Sequence, residues 1–278
     1  LAYHAGRELA KLASFVSEKN LVLTKLDWKT PMRRPVDTVR TGRKAKAQRE
    51  KKLPSDGALN ALSDIFASNP VVHRDIFTTS VSAMLLCAPS RITEILALPV
   101  DCEVWETKRD GKTAYGWRFQ PGKGGAPMIK WIPETMVGIA QEAISRIRQM
   151  TEEARRIALW HEEHPDLFYR HAICPDVNEH ALLAVFQTVQ ALDLSHLNLD
   201  RAKRQIKRYG LEVEDDVHSL STLNRWVRSQ LPQEFPWFDK ERGIRFSNAL
   251  FCMQERQLRT DMGSSVFTIW KPTVNVFN

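Results

Sequence analysis

The sequence predicts an α+β protein, mainly α-helical, in which a helical bundle carries one small three-stranded antiparallel sheet. Apolar residues recur at spacings of three and four along most of the chain, the period of a helix with one buried face. Runs rich in β-branched and aromatic residues fall together between positions 102 and 132, with turn residues between them. Helical periodicity then resumes at Pro133.

In chain order, Leu9, Leu12, Phe15 and Val16 predict an amphipathic helix from about Arg7 to Lys19 that needs a partner for its apolar face. A basic stretch with Pro31 and Pro35 follows, from Lys25 to Lys52. Ser55 can cap a helix bearing Leu59, Leu62, Ile65 and Phe66. A more apolar helix runs from about Asp75 to Cys87 and is ended by Pro89. Ser90 offers the cap of a short helix beginning near Arg91, with Ile92, Ile95 and Leu96 facing inward.

Strands are expected at Cys102 to Lys108, Tyr115 to Gln120 and Met128 to Ile132, with turns at Asp110-Gly111 and at Gly122-Lys123-Gly124-Gly125. One long stripe, Met136, Ala140, Ala143, Ile147, Met150, Ala154 and Ile157, then ends before Pro165. Further helices are expected over Glu179 to Leu192, Asp200 to Tyr209 with Gly210 as its stop, and Ser221 to Leu231.

A chain of 278 residues with 43% hydrophobic content can bury one sizeable core and a smaller lobe. It has no apolar run long enough for a membrane span and no signal segment at its start, so the expected home is the cytoplasm, with no membrane partner. The four cysteines, Cys87, Cys102, Cys174 and Cys252, form no CxxC pair, so a disulfide framework and a cysteine zinc site are not expected. The start at Leu1 rather than Met and the irregular apolar tail to Asn278 predict a piece of a longer product.

Charge is unevenly distributed. Lys25, Lys29, Arg33, Arg34, Arg40, Arg43, Lys44, Lys46, Arg49, Lys51 and Lys52 are opposed only by Asp27, Asp37 and Glu50. That surplus of eight exceeds the +7 of the whole chain, so the remainder is slightly acidic. A basic excess confined to one short segment suits a linker lying along a polyanion. Lys29, Arg33, Arg34, Arg40, Arg43, Lys44, Lys46 and Arg49 are the expected DNA-backbone contacts, each adding affinity that falls with salt. A solvated tether is the alternative.

Two segments carry chemistry, APSRITEILAL (Ala88 to Leu98) and YGWRFQPGKGGAPMIKWIP (Tyr115 to Pro133). Phosphoryl transfer needs positive groups aimed at oxygens on which charge develops, and a guanidinium can grip two at once. Arg91 sits at a helix start, where backbone N–H groups add positive potential, and Glu94 one turn later can orient it or hold the helix. Lys123, in a glycine-rich turn, can swing to a phosphodiester and protonate a departing oxygen; Lys112 and Lys130 compete for that role. An exposed Arg91–Glu94 pair and an ordinary turn lysine are the structural alternatives.

In this order, helix-start arginine, meander and turn lysine resemble the opening of the catalytic domain of tyrosine recombinases, the phage-integrase family. The resemblance extends from Lys25 to Arg148. It implies a catalytic-domain-like bundle with Arg91 and Lys123 as catalytic residues and Glu94 as acidic support. It also implies double-stranded DNA as partner, self-association on it, and no cofactor. Residues 1–24 would end an N-terminal helical DNA clamp, 25–52 would be the linker, and 53–278 would begin the catalytic domain, with a helical insertion from about residue 151.

The family's second arginine in a histidine-containing motif, its further histidine or tryptophan and its nucleophilic tyrosine find no counterpart. His218 and Arg225 have the wrong spacing, and Tyr209 lies in the basic helix RAKRQIKRYG. The expectation is an integrase of a mobile element or prophage, inactive as this piece alone. A DNA-binding protein that kept the clamp without catalysis, and a type IB topoisomerase-like enzyme, are the alternatives.

His161, His164, His171, Cys174 and His180 crowd into HEEHPDLFYRHAIC and its flank. They lack HExxH spacing and are broken by Pro165, so no metal site is expected. The five cations of Arg201 to Arg208 read as charge spread around a helix, a solvated face or a second DNA contact.

Overall fold

The computed structural model describes residues 2–33, 42–51, 53–107, 111–120, 125–260, 264 and 267–277. The chain divides into two units, Leu1–Leu59 and Asn60–Asn278.

In the first unit, α1 (Ala2–Glu18) begins a turn before the expected start. Its contact face is also not the expected one. Leu9, Leu12 and Phe15 remain more than half exposed, while Gly6 is buried. The chain after α1 turns back along it: Ser17 Oγ accepts the Leu26 N–H at 2.9 Å. At Gly6 a Cβ would stand 2.2 Å from Thr30 Oγ1, so only glycine permits this approach. The segment expected as linker from Lys25 is therefore laid on α1 as far as Thr30, and a helix α2 (Arg43–Glu50) follows within it.

Helix α3 (Asp56–Ala67) starts as expected, with Ser55 Oγ accepting the Ala58 N–H at 3.2 Å. In the second unit, α4 (His73–Cys87) is followed by the single turn α5 (Ile92–Ile95). Next come β1 (Glu103–Thr107), β2 (Thr113–Phe119) and β3 (Met128–Trp131), an antiparallel sheet in the order β1-β2-β3. Gly116 of β2 faces Trp131, and a Cβ there would meet Lys130 O and the indole at 2.8 Å.

The long stripe after Pro133 forms two helices, α6 (Val137–Met150) and α7 (Glu152–Glu163). The break falls at Thr151, which is fully buried. Its Oγ1 lies 2.7 Å from Ile147 O and 2.9 Å from Leu250 O, so its hydroxyl is shared with a distant turn where the two helices meet. Helix α4 packs on α6, and Arg146 joins the end of α3 to α6 by donating to Phe66 O at 2.7 Å and Glu142 at 2.7 Å. The core here contains Phe77, Met84, Ile95, Leu98, Trp117, Ile144 and Ile147, all buried.

A second core forms from Phe168 to Val227, joined by Phe267. Its elements are β4 (Leu182–Leu183), α8 (Val185–Ala191), α9 (Leu199–Arg208), β5 (His218–Ser219) and α10 (Leu220–Gln230), with β4 and β5 antiparallel. The helix expected from Glu179 begins only at Val185, because Leu182–Leu183 pair as a strand and Asp215 Oδ1 accepts the Val185 N–H at 2.7 Å. Ser219, not the expected start at Ser221, caps α10, its Oγ accepting the Thr222 N–H at 3.3 Å.

Two short hairpins close the chain: β6 (Trp237–Asp239) with β7 (Ile244–Arg245), and β8 (Met253–Gln254) with β9 (Ile269–Trp270). The intervening Phe246, Ala249, Leu250, Phe251 and Cys252 return to the first core, where Leu250 N–H donates to Leu98 O at 2.9 Å and Val100 N–H to Asn248 O at 2.9 Å. The region from about 151 is thus partly a helical lobe with its own core and partly completion of the first.

Among the described residues, no helix is long and apolar enough to cross a membrane.

Candidate functional site

Pro89 and Ser90 link α4 to the start of α5 between the extended residues Ala88 and Arg91, and Ile95, Leu96 and Leu98 sink into the core beneath that turn. Arg91, not Ser90, occupies the cap position, with extended backbone. Ser90 Oγ instead donates to Ala88 O at 2.8 Å. Glu94, three residues on, reaches back so that its Oε2 accepts the Arg91 N–H at 3.2 Å. This is one half of a capping box.

The same oxygen accepts from Lys130 Nζ of β3 at 3.0 Å. The Lys130 ammonium also donates to Ser90 Oγ at 2.8 Å and Pro89 O at 3.2 Å. Its three protons therefore have three acceptors, and it lies 4.5 Å above the Phe119 ring. The Lys130 hydrogen bond, with help from the Arg91 N–H and the two nearby positive charges, holds the Glu94 carboxyl below its ordinary value.

The Arg91 guanidinium is left outside this arrangement. Its side chain is 86% exposed and only 3.8 Å from Glu94 Oε1 at its nearest. The anchored backbone and a guanidinium held only by this long, exposed pairing with Glu94 let that group turn to an anionic oxygen. Because α5 is a single turn, few peptide dipoles align behind Arg91, and the helix-start potential expected from the sequence is small.

Of the remaining sequence-predicted site residues, Lys123 lies outside the described residues, as do Arg34 and Arg40. Lys29, Arg33, Arg43 and Lys46 are exposed, with Lys46 Nζ 3.8 Å from Glu50. Lys44 and Arg49 belong to α2, and their side chains lie outside the described residues. The structure joins Glu94 to Arg91. Lys130, one of the competing lysines, is also drawn to Glu94, as a buttress.

Residues the sequence reading did not single out brace the sheet beside this site. Trp117 Nε1 donates to the Tyr115 hydroxyl at 3.0 Å, and that hydroxyl donates to Glu103 Oε1 at 2.6 Å. The other Glu103 oxygen pairs with Arg148 of α6, which also donates to Val100 O at 3.0 Å. Two aromatics at alternate positions on one strand and a carboxylate on the strand beside it were the available signal; the arginine comes from α6 and left none.

Tyr115, Tyr169 and the four thiols are not activated nucleophiles. Burial, together with donation to Glu103, raises the Tyr115 hydroxyl, and burial with donation to Glu153 pushes Tyr169 up to about 12. Tyr209 packs against Trp226, ring centroids 5.0 Å apart and planes tilted by 41°. Burial pushes the Cys87 thiol up to about 11 and Cys102 to about 12.

The histidine-rich segment is dispersed. His161 is buried in α7, His164 packs tilted against Trp160 with centroids 4.4 Å apart, and His171 Nε2 lies 2.9 Å from Ala191 O. Among the described residues, no three His, Cys, Asp or Glu side chains are grouped to hold a metal ion.

Comparison with protein-family models, with curated proteins and with solved structures found no match.

Proposed function

We propose that this chain is part of a tyrosine-recombinase-type integrase of a mobile element or prophage, acting on double-stranded DNA in the bacterial cytoplasm. The observation that carries the reading is the outward Arg91 guanidinium, whose backbone is held by Glu94, followed directly by an antiparallel meander whose β2–β3 connection contains Lys123.

In this reading, a tyrosine oxygen attacks a DNA phosphorus and the 5′ oxygen departs, leaving a phosphotyrosine link. Arg91 neutralises charge developing on the non-bridging oxygens, and Lys123 gives the departing oxygen its proton. Glu94 and Lys130 position Arg91 from behind. The chemistry requires no metal or cofactor. Tyr115 and Tyr169, hydrogen-bonded to Glu103 and Glu153, and Tyr209, packed on Trp226, are not assigned as the nucleophile. Exposed cations from Lys29 to Lys46 supply backbone contacts, and self-association on DNA brings two sites together.

The engagement of those tyrosines favours one second reading, a DNA-binding protein derived from an integrase but without catalysis. The test uses the native full-length gene product with a nicked suicide duplex. Covalent protein–DNA trapping that falls at least about 100-fold in Arg91→Ala supports the recombinase. Salt-dependent binding with no covalent product, or trapping indifferent to Arg91, overturns it.

A further inference from the structure

We propose that the solvent face of α9 docks on the sugar–phosphate backbone of duplex DNA, as a contact distinct from the basic segment and from Arg91. The proposal rests on DNA being the partner, as in the reading above, but not on strand cleavage.

Helix α9 is buried only at Ala202 and Ile206, which enter the second core. At about 100° per residue, Arg201, Lys203, Arg204, Lys207 and Arg208 fall within an arc of roughly 160° on the opposite side. The charge is therefore concentrated on one face, contrary to the even spread read from the sequence. Arg201, Arg204, Lys207 and Arg208 are exposed.

Elsewhere in this unit arginines are drawn into pairs: Arg146 with Glu142, Arg148 with Glu103, Arg170 with Glu179 and Arg242 with Asp239. Among the described residues, none of the five α9 cations has a carboxylate partner. The nearest acids in sequence do not cancel that charge. Asp200, in the first turn, lies within the same arc but pairs with none of the five, leaving the face net positive. Asp215 is turned away to the Val185 N–H. Glu212, Glu214 and Asp216 lie on the loop beyond Gly210, whose positive φ ends the helix.

Like charges three and four residues apart destabilise a helix when nothing offsets them. Here Asn198 offsets part of that cost by accepting the Arg201 N–H at 3.0 Å, and the buried stripe holds the helix in place. What remains is a row of unpaired cations about 10 Å long, suited to the closely spaced phosphates of a duplex.

A membrane surface fits less well, because an interfacial helix inserts its apolar face, and the apolar face of α9 is already in the core. Single-stranded nucleic acid is bound by exposed aromatic platforms, whereas Tyr209 at the end of α9 packs against Trp226 of α10.

The test measures fluorescence anisotropy of the full chain with a duplex of about 30 base pairs, between about 50 and 200 mM salt. The variant carries Arg201→Ala, Arg204→Ala, Lys207→Ala and Arg208→Ala. A second variant changes the three arginines to lysine. We expect the alanine variant to lose roughly 3 from the salt slope and at least about tenfold in affinity, while the lysine variant keeps both. Unchanged thermal melting of the alanine variant, whose altered side chains are exposed, shows that the fold is retained; a collapsed melt is met by the charge-reversal pair Arg204→Glu and Arg208→Glu, read by the same slope.

An unaltered slope in folded variants overturns the α9 contact and leaves the integrase reading standing. An α9-dependent slope without Arg91-dependent covalent trapping overturns the integrase reading and leaves the contact standing. Failure of the unmodified chain to bind duplex overturns both. Loss of binding to phosphatidylserine vesicles or to single-stranded RNA, with duplex binding unchanged, assigns the face to those partners instead.

Discussion

Lys130 Nζ and Glu94 Oε2 stand 3.0 Å apart, so a strand lysine and a helix glutamate, 36 residues separated, bind the sheet to the turn that displays Arg91. The side chains are 21% and 32% exposed, which makes this a partly desolvated pair rather than a surface one.

Replacing Lys130 by Met therefore leaves Glu94, Ser90 Oγ and Pro89 O without their shared donor. The expected loss is about 2 kcal/mol in chemical denaturation at neutral pH. The pH dependence carries the sign. Glu94 has a depressed folded-state value, so its contribution is fully present above the ordinary carboxylate value of 4.5 and is lost as pH falls through the lower folded value. The gap between Lys130→Met and the unmodified chain should close on acidification. A gap that stays constant to pH 2 would show that Glu94 is not the partner that matters.

His161 makes the opposite kind of prediction. It is 1% exposed, both ring nitrogens lack a protein partner, and burial, aided by the Arg228 charge, lowers it to about 4. The unfolded chain takes up a proton near the ordinary value of 6.5, whereas the folded chain resists until about 4. Stability should fall by about 2 kcal/mol between pH 7 and pH 5. His161→Leu should remove that slope without lowering stability at pH 7. Urea midpoints at the two pH values decide it, and parallel slopes in both proteins would refute it.

Gly116→Ala places a methyl 2.8 Å from Lys130 O and from the Trp131 ring. Because Lys130 is the buttress of α5, forcing β3 away from β2 should cost about 2 kcal/mol and should broaden the amide resonances of residues 90–94. A stable variant with unchanged resonances would show that the β2–β3 spacing is soft.

Gly6→Ala raises helix propensity in α1 but drives a Cβ to 2.2 Å from Thr30 Oγ1. Hydrogen exchange at the Leu26 amide, now bonded to Ser17 Oγ, should quicken about tenfold. Thr30→Ala in the same chain should partly restore protection; if exchange is unaltered in Gly6→Ala, the return segment is not held by that contact.

The three-stranded sheet was legible because its strands are four to seven residues long and bounded by glycine-rich turns. Hairpins built from strands of two or three residues, such as β8 with β9, have no period to detect. The division of α6 from α7 was hidden because the apolar stripe runs unbroken through Thr151, whose partner Leu250 O is remote in sequence. Similarly, α8 owes its start to Asp215, thirty residues downstream. At the site, Arg91 and Glu94 were readable from a one-turn spacing. Which lysine meets Glu94 was not, since that depends on the register placing Lys130 opposite Trp117. The contact face of α1 did leave a signal, in the small residues Gly6, Ala10, Ala13 and Ser17 at helical intervals, but the larger Leu9, Leu12 and Phe15 compete with it in any reading by hydrophobicity.

The meeting of Thr151 Oγ1 with Leu250 O closes a 99-residue excursion at its neck. Within that excursion α7 and the segment from Phe238 to Leu250 belong to the first core, while α8, α9 and α10 gather around a second one joined by Phe267, so changes on the lobe's surface leave the packing of the first core in place. The lobe of α8, α9 and α10 can therefore diverge at its own pace, adopting new surfaces while the turn that presents Arg91 stays fixed.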